Sequence, residues 1–257
     1  MTLFERGGAL GGQVALWAKA PSRRELSEVS RWLVDRLAET DARVRLGTEA
    51  TASLLRAEAF EAVIVATGSR GLRHGWTPLR PERWGTSATT APCLPHVLSY
   101  IDYLRDEPAL GPNVVVVDAL GGRQGAVVAE VLASKGHAVE FVTQLGQASP
   151  DLASSRDWGK VHGMLKRMGV RFTVDAEPTA IGPDWIELRD VYTGAVERRA
   201  PVHGVVMMLG ASAEDGLFHD LLPDRARGLE LRLVGDAMAP RRASDAIREG
   251  EIAAREV

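Results

Sequence analysis

Four short segments carry residue types that can hold a nucleotide. Thr2-Leu3-Phe4 is strand-like and leads into Glu5-Arg6 and then Gly7-Gly8-Ala9-Leu10-Gly11-Gly12-Gln13. In a dinucleotide-binding βαβ unit an acidic residue ends the second strand, and its carboxylate accepts hydrogen bonds from ribose hydroxyls. Glu5 has that position relative to a strand, and the glycines after it let the backbone run close to a ligand. A surface glutamate before a flexible loop fits the same residues equally well. Ala66-Thr67-Gly68-Ser69 follows Val63-Ile64-Val65 directly. A small-residue turn at the carboxyl end of a parallel strand is where open α/β sheets bind ligands, though a tight strand exit has the same composition. Val234-Gly235-Asp236-Ala237 precedes Pro240 and a C-terminal helix. Gly235 permits close backbone approach and Asp236 offers a carboxylate to a polyol hydroxyl. The amides opening the helix can face a pyrophosphate, or Asp236 simply helps cap that helix.

The fourth segment is a strand, a glycine loop and a helix. Val114 to Val117 lead into Asp118-Ala119-Leu120-Gly121-Gly122-Arg123-Gln124-Gly125. This departs from GxGxxG: Asp118 stands for the first glycine, and if Gly125 matches the last, the loop is about two residues longer than the fingerprint. An anionic Asp118 repels a pyrophosphate. The next strand, Val139 to Thr143, ends without an acidic ribose acceptor. The segment reads as a weakened second nucleotide loop with Asp118, Gly121, Gly122 and Gly125 as its members, and NAD(P)H use through it is doubtful.

The elements that must position these segments follow from periodicity. Val63 to Val65, Val114 to Val117, Gly204 to Gly210 and Leu231 to Gly235 are short β-branched or apolar runs, suited to strands buried on both faces of a parallel sheet. Pro21-Ser22-Arg23-Arg24-Glu25 predicts a helix start, with Ser22 as cap and Glu25 reaching back. Leu26, Val29, Leu33 and Leu37 then line one face. Further helices are expected from Gly125 to Lys135, around Val161, Leu165 and Met168 up to Gly169, and from about Ala243 to Glu256. Trp185 to Arg189 alternates, Thr193-Gly194 can turn, and Val196 to Arg199 returns, which predicts an antiparallel hairpin. Strands alternating with helices argue for α/β layers. Linker-like stretches near 105–112 and 210–216 suggest a middle domain at 109–212 inserted into an outer domain of 1–108 plus 213–257.

The chain has 257 residues, 45% hydrophobic and 25% charged, with a formal net charge of −3. It is ordinary for a globular protein, and the charge gives no reason to expect nucleic acid or an anionic membrane as partner. The single cysteine, Cys93, excludes a disulfide framework, a CxxC pair and a cysteine-bound iron–sulfur cluster within these residues. A lone thiol and the lack of a signal-peptide pattern fit a cytoplasmic setting. The six histidines, at 74, 96, 137, 162, 203 and 219, show no close ligand pairing, so no metal site is expected. Met207 and Met208 read as core. Arg70, Arg73, Arg241 and Arg242 read as phosphate contacts or as solvated cations.

Taken together, these residues resemble the C-terminal half of the NADH:flavin oxidoreductases, in the trimethylamine dehydrogenase and 2,4-dienoyl-CoA reductase branch. The matching runs are Leu3 to Arg6 with Leu10 to Gln13, Val63 to Ser69, Asp118 to Gly125, and Val234 to Ala237 with Ala239-Pro240-Arg241, Ala246-Ile247 and Gly250. The resemblance implies a Rossmann-like FAD-binding domain of α/β class with a smaller NAD(P)-binding-like domain inserted. It implies that Glu5 and Arg6 lie at the adenosine ribose, and that Gly11, Gly12, Gln13, Ala66, Thr67 and Gly68 line the nucleotide site. It also implies that Gly235, Asp236 and Ala237 face the pyrophosphate and ribityl region of FAD, or the equivalent of a site that keeps only ADP. The Asp-containing second loop is closer to the demethylase-like members than to NAD(P)H-using reductases.

Proteins of this kind also carry an FMN barrel and an iron–sulfur cluster, neither of which these residues can form. The first strand and its GxGxxG loop are expected before Met1 and are absent here, which predicts an exposed strand edge on their neighbours. The expected role is therefore the FAD-binding component of an oxidoreductase. A redox partner chain or domain would carry the FMN or iron–sulfur centre. The alternatives are a non-catalytic ADP-holding module or a truncated gene product. No residue is assigned acid or base work.

Overall fold

The computed structural model describes residues 1–73 and 94–257. His74 and Cys93 lie outside the described residues. In chain order β1 (Thr2–Phe4), α1 (Gly12–Trp17), α2 (Leu26–Ala38), β2 (Arg43–Arg45), α3 (Ala52–Glu58), β3 (Ala62–Val65) and β4 (Ser69–Gly71) come first. They are followed by β5 (Val97–Ser99), α4 (Tyr100–Asp106), β6 (Asn113–Asp118), α5 (Arg123–Ser134), β7 (Ala138–Thr143), α6 (Trp158–Arg167) and β8 (Arg171–Thr173). Then come β9 (Ala176–Ile181), β10 (Ile186–Asp190), β11 (Val196–Arg199), β12 (Gly204–Met208), β13 (Ala211–Ala213), α7 (Gly216–Leu221), β14 (Glu230–Leu233) and α8 (Ala243–Arg255). The chain forms two compact units. Unit 1 takes Met1–Ala15, Glu25–Arg70 and Ala211–Val257, and unit 2 takes Leu16–Arg24 and Gly71–Gly210.

Unit 2 is built on a parallel sheet in the order β5-β12-β6-β7-β8. Val114 to Val117 of β6 are all buried, as the continuous β-branched run requires when both faces of a strand are covered. Val128, Val131 and Leu132 of α5 are buried too. Gly136 (φ +89°) ends α5 and Gly169 (φ +84°) ends α6, each in the left-handed conformation that glycine adopts without penalty. The expected hairpin forms from β10 and β11, and β9 joins it to make a three-stranded antiparallel sheet. Ile186 and Leu188 of β10 alternate inward to a core that includes Val115, Val117 and Val142. The boundary between the units falls near residue 71 instead of residue 109. The reason is that β5 pairs with β12 and so extends the sheet of unit 2 ahead of β6.

Unit 1 holds three short strand pairs: β1 with β2, β3 with β14, and β4 with β13. Phe4 of β1 and Leu233 of β14 pack on one core of Leu55, Val65, Leu221 and Leu231. Among the described residues no ladder joins β1 to β3, so this unit is held by side-chain packing more than by sheet continuity. A two-stranded pair alone is marginal in water. Thr51 caps α3, its hydroxyl accepting from the Leu54 amide at 3.2 Å.

One expected helix differs. Pro21–Arg23 forms a separate 3-10 turn, and α2 starts at Leu26. Ser22 does not cap it. Its amide and hydroxyl instead donate to the buried Glu130 carboxylate at 2.7 and 2.5 Å, a stronger demand than a helix start makes. The predicted apolar stripe on α2 exists, but it is not core-facing in this structure: none of the helix is buried, and Val29, Trp32 and Leu33 are exposed.

Candidate functional site

Unit 1 brings together three polar side chains from distant segments, and each follows a glycine with positive φ. Gln13 follows Gly12 (φ +48°), Ser69 follows Gly68 (φ +83°), and Asp236 follows Gly235 (φ +62°). Left-handed backbone at each glycine turns the chain sharply, which glycine alone permits at no steric cost. The Ser69 hydroxyl donates to Asp236 Oδ2 at 3.0 Å, and Gln13 Nε2 donates to Asp236 Oδ2 at 3.2 Å and to Ser69 Oγ at 2.8 Å. Asp236 Oδ1 accepts from the Arg241 amide at 3.1 Å. Asp236 thus ties the turn after β14 to the turn after β3 and to the start of α1, and it does not cap α8, which begins later at Ala243. Gly12 and Gln13 open α1; they are not loop residues.

The space around these turns is uneven. Among the described residues a Cβ placed on Gly8, Gly12 or Gly68 would meet nothing within 4 Å, so the backbone there is open to close approach. A Cβ on Gly235 would lie 3.1 Å from Ala246 Cβ, so this glycine serves tight packing of the turn on α8. Its amide donates to Glu249 at 2.8 Å, and Glu249 in turn pairs with Arg241. Ala237 is buried. Thr67 donates its hydroxyl to the Glu214 carbonyl, and the Glu214 amide donates to the Gly68 carbonyl at 2.9 Å, which buttresses the turn from Ala66 to Ser69.

Glu5 sits at the end of β1, and its carboxylate accepts from the Gly7 amide at 2.6 Å. The backbone around it is fixed by bonds to Arg45 and Thr48. No hydrogen bond among the described residues joins Glu5 to Asp236, and Arg6 beside it is exposed. Arg70 pairs with Glu214 and Arg73 with Asp102. Three members of the site take roles that sequence reasoning does not give them. Ser69 reads there only as the end of a turn, yet its place after Gly68 is the same signal that marks Gln13 and Asp236. Arg241 reads as a phosphate contact or a solvated cation, whereas its amide holds Asp236. Glu249 gives no local signal, because it reaches Gly235 only through the path of α8.

The glycine loop of unit 2 is arranged differently. Asp118 is buried; its Oδ1 accepts from the amides of Leu120 (3.1 Å) and Gly121 (3.3 Å), and its Oδ2 from Gly121 (3.2 Å). Burial pushes its carboxyl up to about 7, with the nearby Asp151 adding to the shift and the two amides opposing it. The expectation of an anionic Asp118 that repels a pyrophosphate is corrected. The group lies beneath its own loop, and desolvation disfavours its charge. Gly125 fits against it: a Cβ there would be 2.9 Å from the Asp118 carboxyl carbon and 3.1 Å from Phe141. Gly121 and Gly122 are buried. Among the described residues no three His, Cys, Asp or Glu side chains gather as a metal site, and no helix is long and apolar enough to cross a membrane.

No family model matches the chain. It is 31% identical to the N,N-dimethylglycine/sarcosine dehydrogenase of Chromohalobacter salexigens, over 88% of this chain and 32% of that protein. It superposes on histamine dehydrogenase from Rhizobium sp. 4-9 with a TM-score of 0.85 and 26% identity, over 100% of this chain and 40% of that one. T. acidophilum thioredoxin reductase shares the fold, at a TM-score of 0.64 and 16% identity over 99% of this chain and 88% of that one. The chain spans about a third of the length of the curated relatives it matches. The architecture is accordingly the mixed α/β fold with a parallel sheet that these oxidoreductases share. These likenesses support a place among the flavin oxidoreductases and do not single out a branch.

Proposed function

We propose that unit 1 binds FAD and that the chain is the FAD-holding part of a flavin-dependent oxidoreductase. The observation that carries this reading is the convergence of Gln13, Ser69 and Asp236, each delivered by a left-handed glycine, beside backbone left open at Gly8, Gly12 and Gly68. A dinucleotide needs close backbone approach for its pyrophosphate and fixed polar groups for its hydroxyls, and this unit supplies both. In this reading Gly11, Gly12, Gln13, Ala66, Thr67 and Gly68 line the nucleotide. Asp236, on the turn that the buried Gly235 and Ala237 hold in place, addresses its pyrophosphate and ribityl side, and Glu5 with Arg6 its adenosine ribose. The flavin supplies the redox chemistry, and the protein binds and orients it.

The relatives are about three times longer than this chain. We therefore place the partner redox group, an FMN or an iron–sulfur centre, on polypeptide outside these residues. None of the relatives' names points to ADP as the resident group. The test is to mix the purified chain with FAD, remove excess, denature it, and identify what is released by absorbance and mass. Stoichiometric FAD, with slowed amide exchange at residues 11–13 and 66–69, is expected. A folded chain that takes up no FAD at saturating concentration overturns the reading.

A further inference from the structure

One side chain of α8 ties both ends of the turn that carries Asp236. The pairing of β14 with β3 runs out at Val234, whose amide donates to the Val65 carbonyl at 3.0 Å. Gly235 comes next and is buried. A buried backbone N–H needs an acceptor, and Glu249 Oε2 supplies it at 2.8 Å. The other carboxylate oxygen, Oε1, accepts from the Arg241 guanidinium. Glu249 therefore holds residue 235 with one oxygen and residue 241 with the other.

Arg241 passes this hold on to Asp236. Its amide donates to Asp236 Oδ1 at 3.1 Å, and its Nε to the Ala239 carbonyl at 3.2 Å. The guanidinium is thus engaged within the turn. Glu249 is the better shielded member of the pair, with its side chain 15% exposed against 38% for Arg241. Two further contacts fix α8, from which it reaches. Ala246, one turn before Glu249, lies 3.1 Å from the place a Cβ on Gly235 would take, and Glu256 near the helix end pairs with Arg232 of β14 at 3.5 Å. A carboxylate that accepts from an amide and a guanidinium at once makes charge-assisted bonds of defined direction.

We propose that Glu249 is a positioning residue for the site of unit 1: with Arg241 it latches the turn of residues 235–241, and it sets FAD affinity through Asp236 without touching the ligand. The inference rests on the reading of unit 1 as an FAD site. A carboxylate reads hydroxyls only if its oxygens are held where those hydroxyls arrive, and a site organised before binding spends less of its binding energy on ordering. Ser69 and Gln13 orient Oδ2 of Asp236, while the latch fixes the backbone beneath it.

The test is a double-mutant cycle on the full chain. FAD affinity is titrated for wild type, E249A, D236A and the double variant, with urea midpoints measured alongside. E249A is expected to weaken FAD binding about tenfold, the usual scale for losing a hydrogen-bonded charged group. In the D236A background the same change should cost less than about twofold, because the residue through which Glu249 acts is gone. E249Q keeps a carbonyl oxygen for the Gly235 amide and is expected to recover most of the affinity. Additive losses overturn the proposal and leave Glu249 a residue of the fold alone. So does a folded E249A that binds FAD like wild type. If E249A lowers the urea midpoint so far that it is unfolded during the titration, R241A, which removes the more exposed half of the latch, decides by the same cycle with D236A. A folded wild type that takes up no FAD overturns the FAD reading and this inference with it, whereas the other negative results leave that reading standing.

Discussion

Two glycine-bearing regions at the ends of parallel strands, one in each unit, dispose of their polar groups in opposite ways. In unit 1 the side chains of Gln13, Ser69 and Asp236 bond to one another, and the backbone of Gly8, Gly12 and Gly68 faces open space. In unit 2 one carboxyl group, Asp118, takes the loop amides, and the glycines at 121 and 125 are hemmed in by Leu145, Pro150, Phe141 and Asp118 itself. Glycine has a different use in each place. In unit 1 Gly8, Gly12 and Gly68 leave space beside the backbone while Gly235 packs on Ala246, and in unit 2 Gly121 and Gly125 make room for the protein's own side chains. Glycine spacing alone does not separate these uses; the first polar residue beside each glycine does.

If unit 2 is closed on itself, its stability must come from dense packing under the loop, and truncation there is the most costly. Phe141 is fully buried, lies beside Gly125, and packs on Phe172 with ring centroids 5.7 Å apart. F141A is expected to destabilise the fold by about 3–5 kcal/mol. The half-buried Phe4 of unit 1 meets Phe60 edge-on at 6.1 Å, and F4A should cost less than half as much. Urea unfolding of both variants reads the difference. Equal losses would mean that the two junctions are packed alike and that the contrast is only one of hydrogen bonding.

The next effect comes from the buried carboxyl of Asp118. It titrates at 3.8 when unfolded and near 7 when folded, so the folded chain holds the proton more tightly. The stability linked to that proton is present in full below about pH 4. It is lost as the pH rises towards about 7 and changes no further above it. The loss is a few kcal/mol at most, because each pH unit that separates the folded from the unfolded titration is worth about 1.4 kcal/mol. Urea midpoints of wild type relative to D118N, measured from pH 4.5 to 8, should fall with rising pH. A difference that stays flat shows that Asp118 is not buried as a neutral acid.

A smaller effect tests the open junction. D236A removes the acceptor that Gln13, Ser69 and the Arg241 amide share. Losing a hydrogen-bonded charged group typically costs about 1.5–3 kcal/mol, so FAD affinity should fall at least tenfold in a flavin-fluorescence titration. D118N should leave it unchanged. A loss of FAD affinity in D118N and none in D236A would reverse the assignment of the two units.

Much of this arrangement is legible in the sequence because it rests on local rules. The valine run at 114–117, the glycines ending α5 and α6, and the turn at Thr193-Gly194 each specify their structure within a few residues. The three Gly–polar pairs of unit 1 are legible too, as steps from Gly12 to Gln13, Gly68 to Ser69 and Gly235 to Asp236. Long-range demands escape such a reading. Ser22 looks like a helix cap until Glu130, 108 residues away, claims its amide and hydroxyl. Asp118 looks like an anion aimed at a phosphate until its burial and the position of Gly125 turn it under the loop. Glu249 is invisible because its partner is placed by the path of a whole helix.

The smallest expected effect concerns α2. An apolar stripe at helical spacing normally predicts a face packed on the core. Here Trp32 is 62% exposed, Leu33 46% and Val29 43%. Truncating an exposed side chain removes little area that folding had buried, and such changes usually stay within about 0.5 kcal/mol. V29A and L33A should therefore leave the urea midpoint of the chain almost unchanged, in contrast with F141A. A loss above about 2 kcal/mol from either would show that the stripe is covered in solution. Unit 1 would then be as closed on that face as unit 2 is at its loop, and the openness assigned to unit 1 would be confined to its glycine turns.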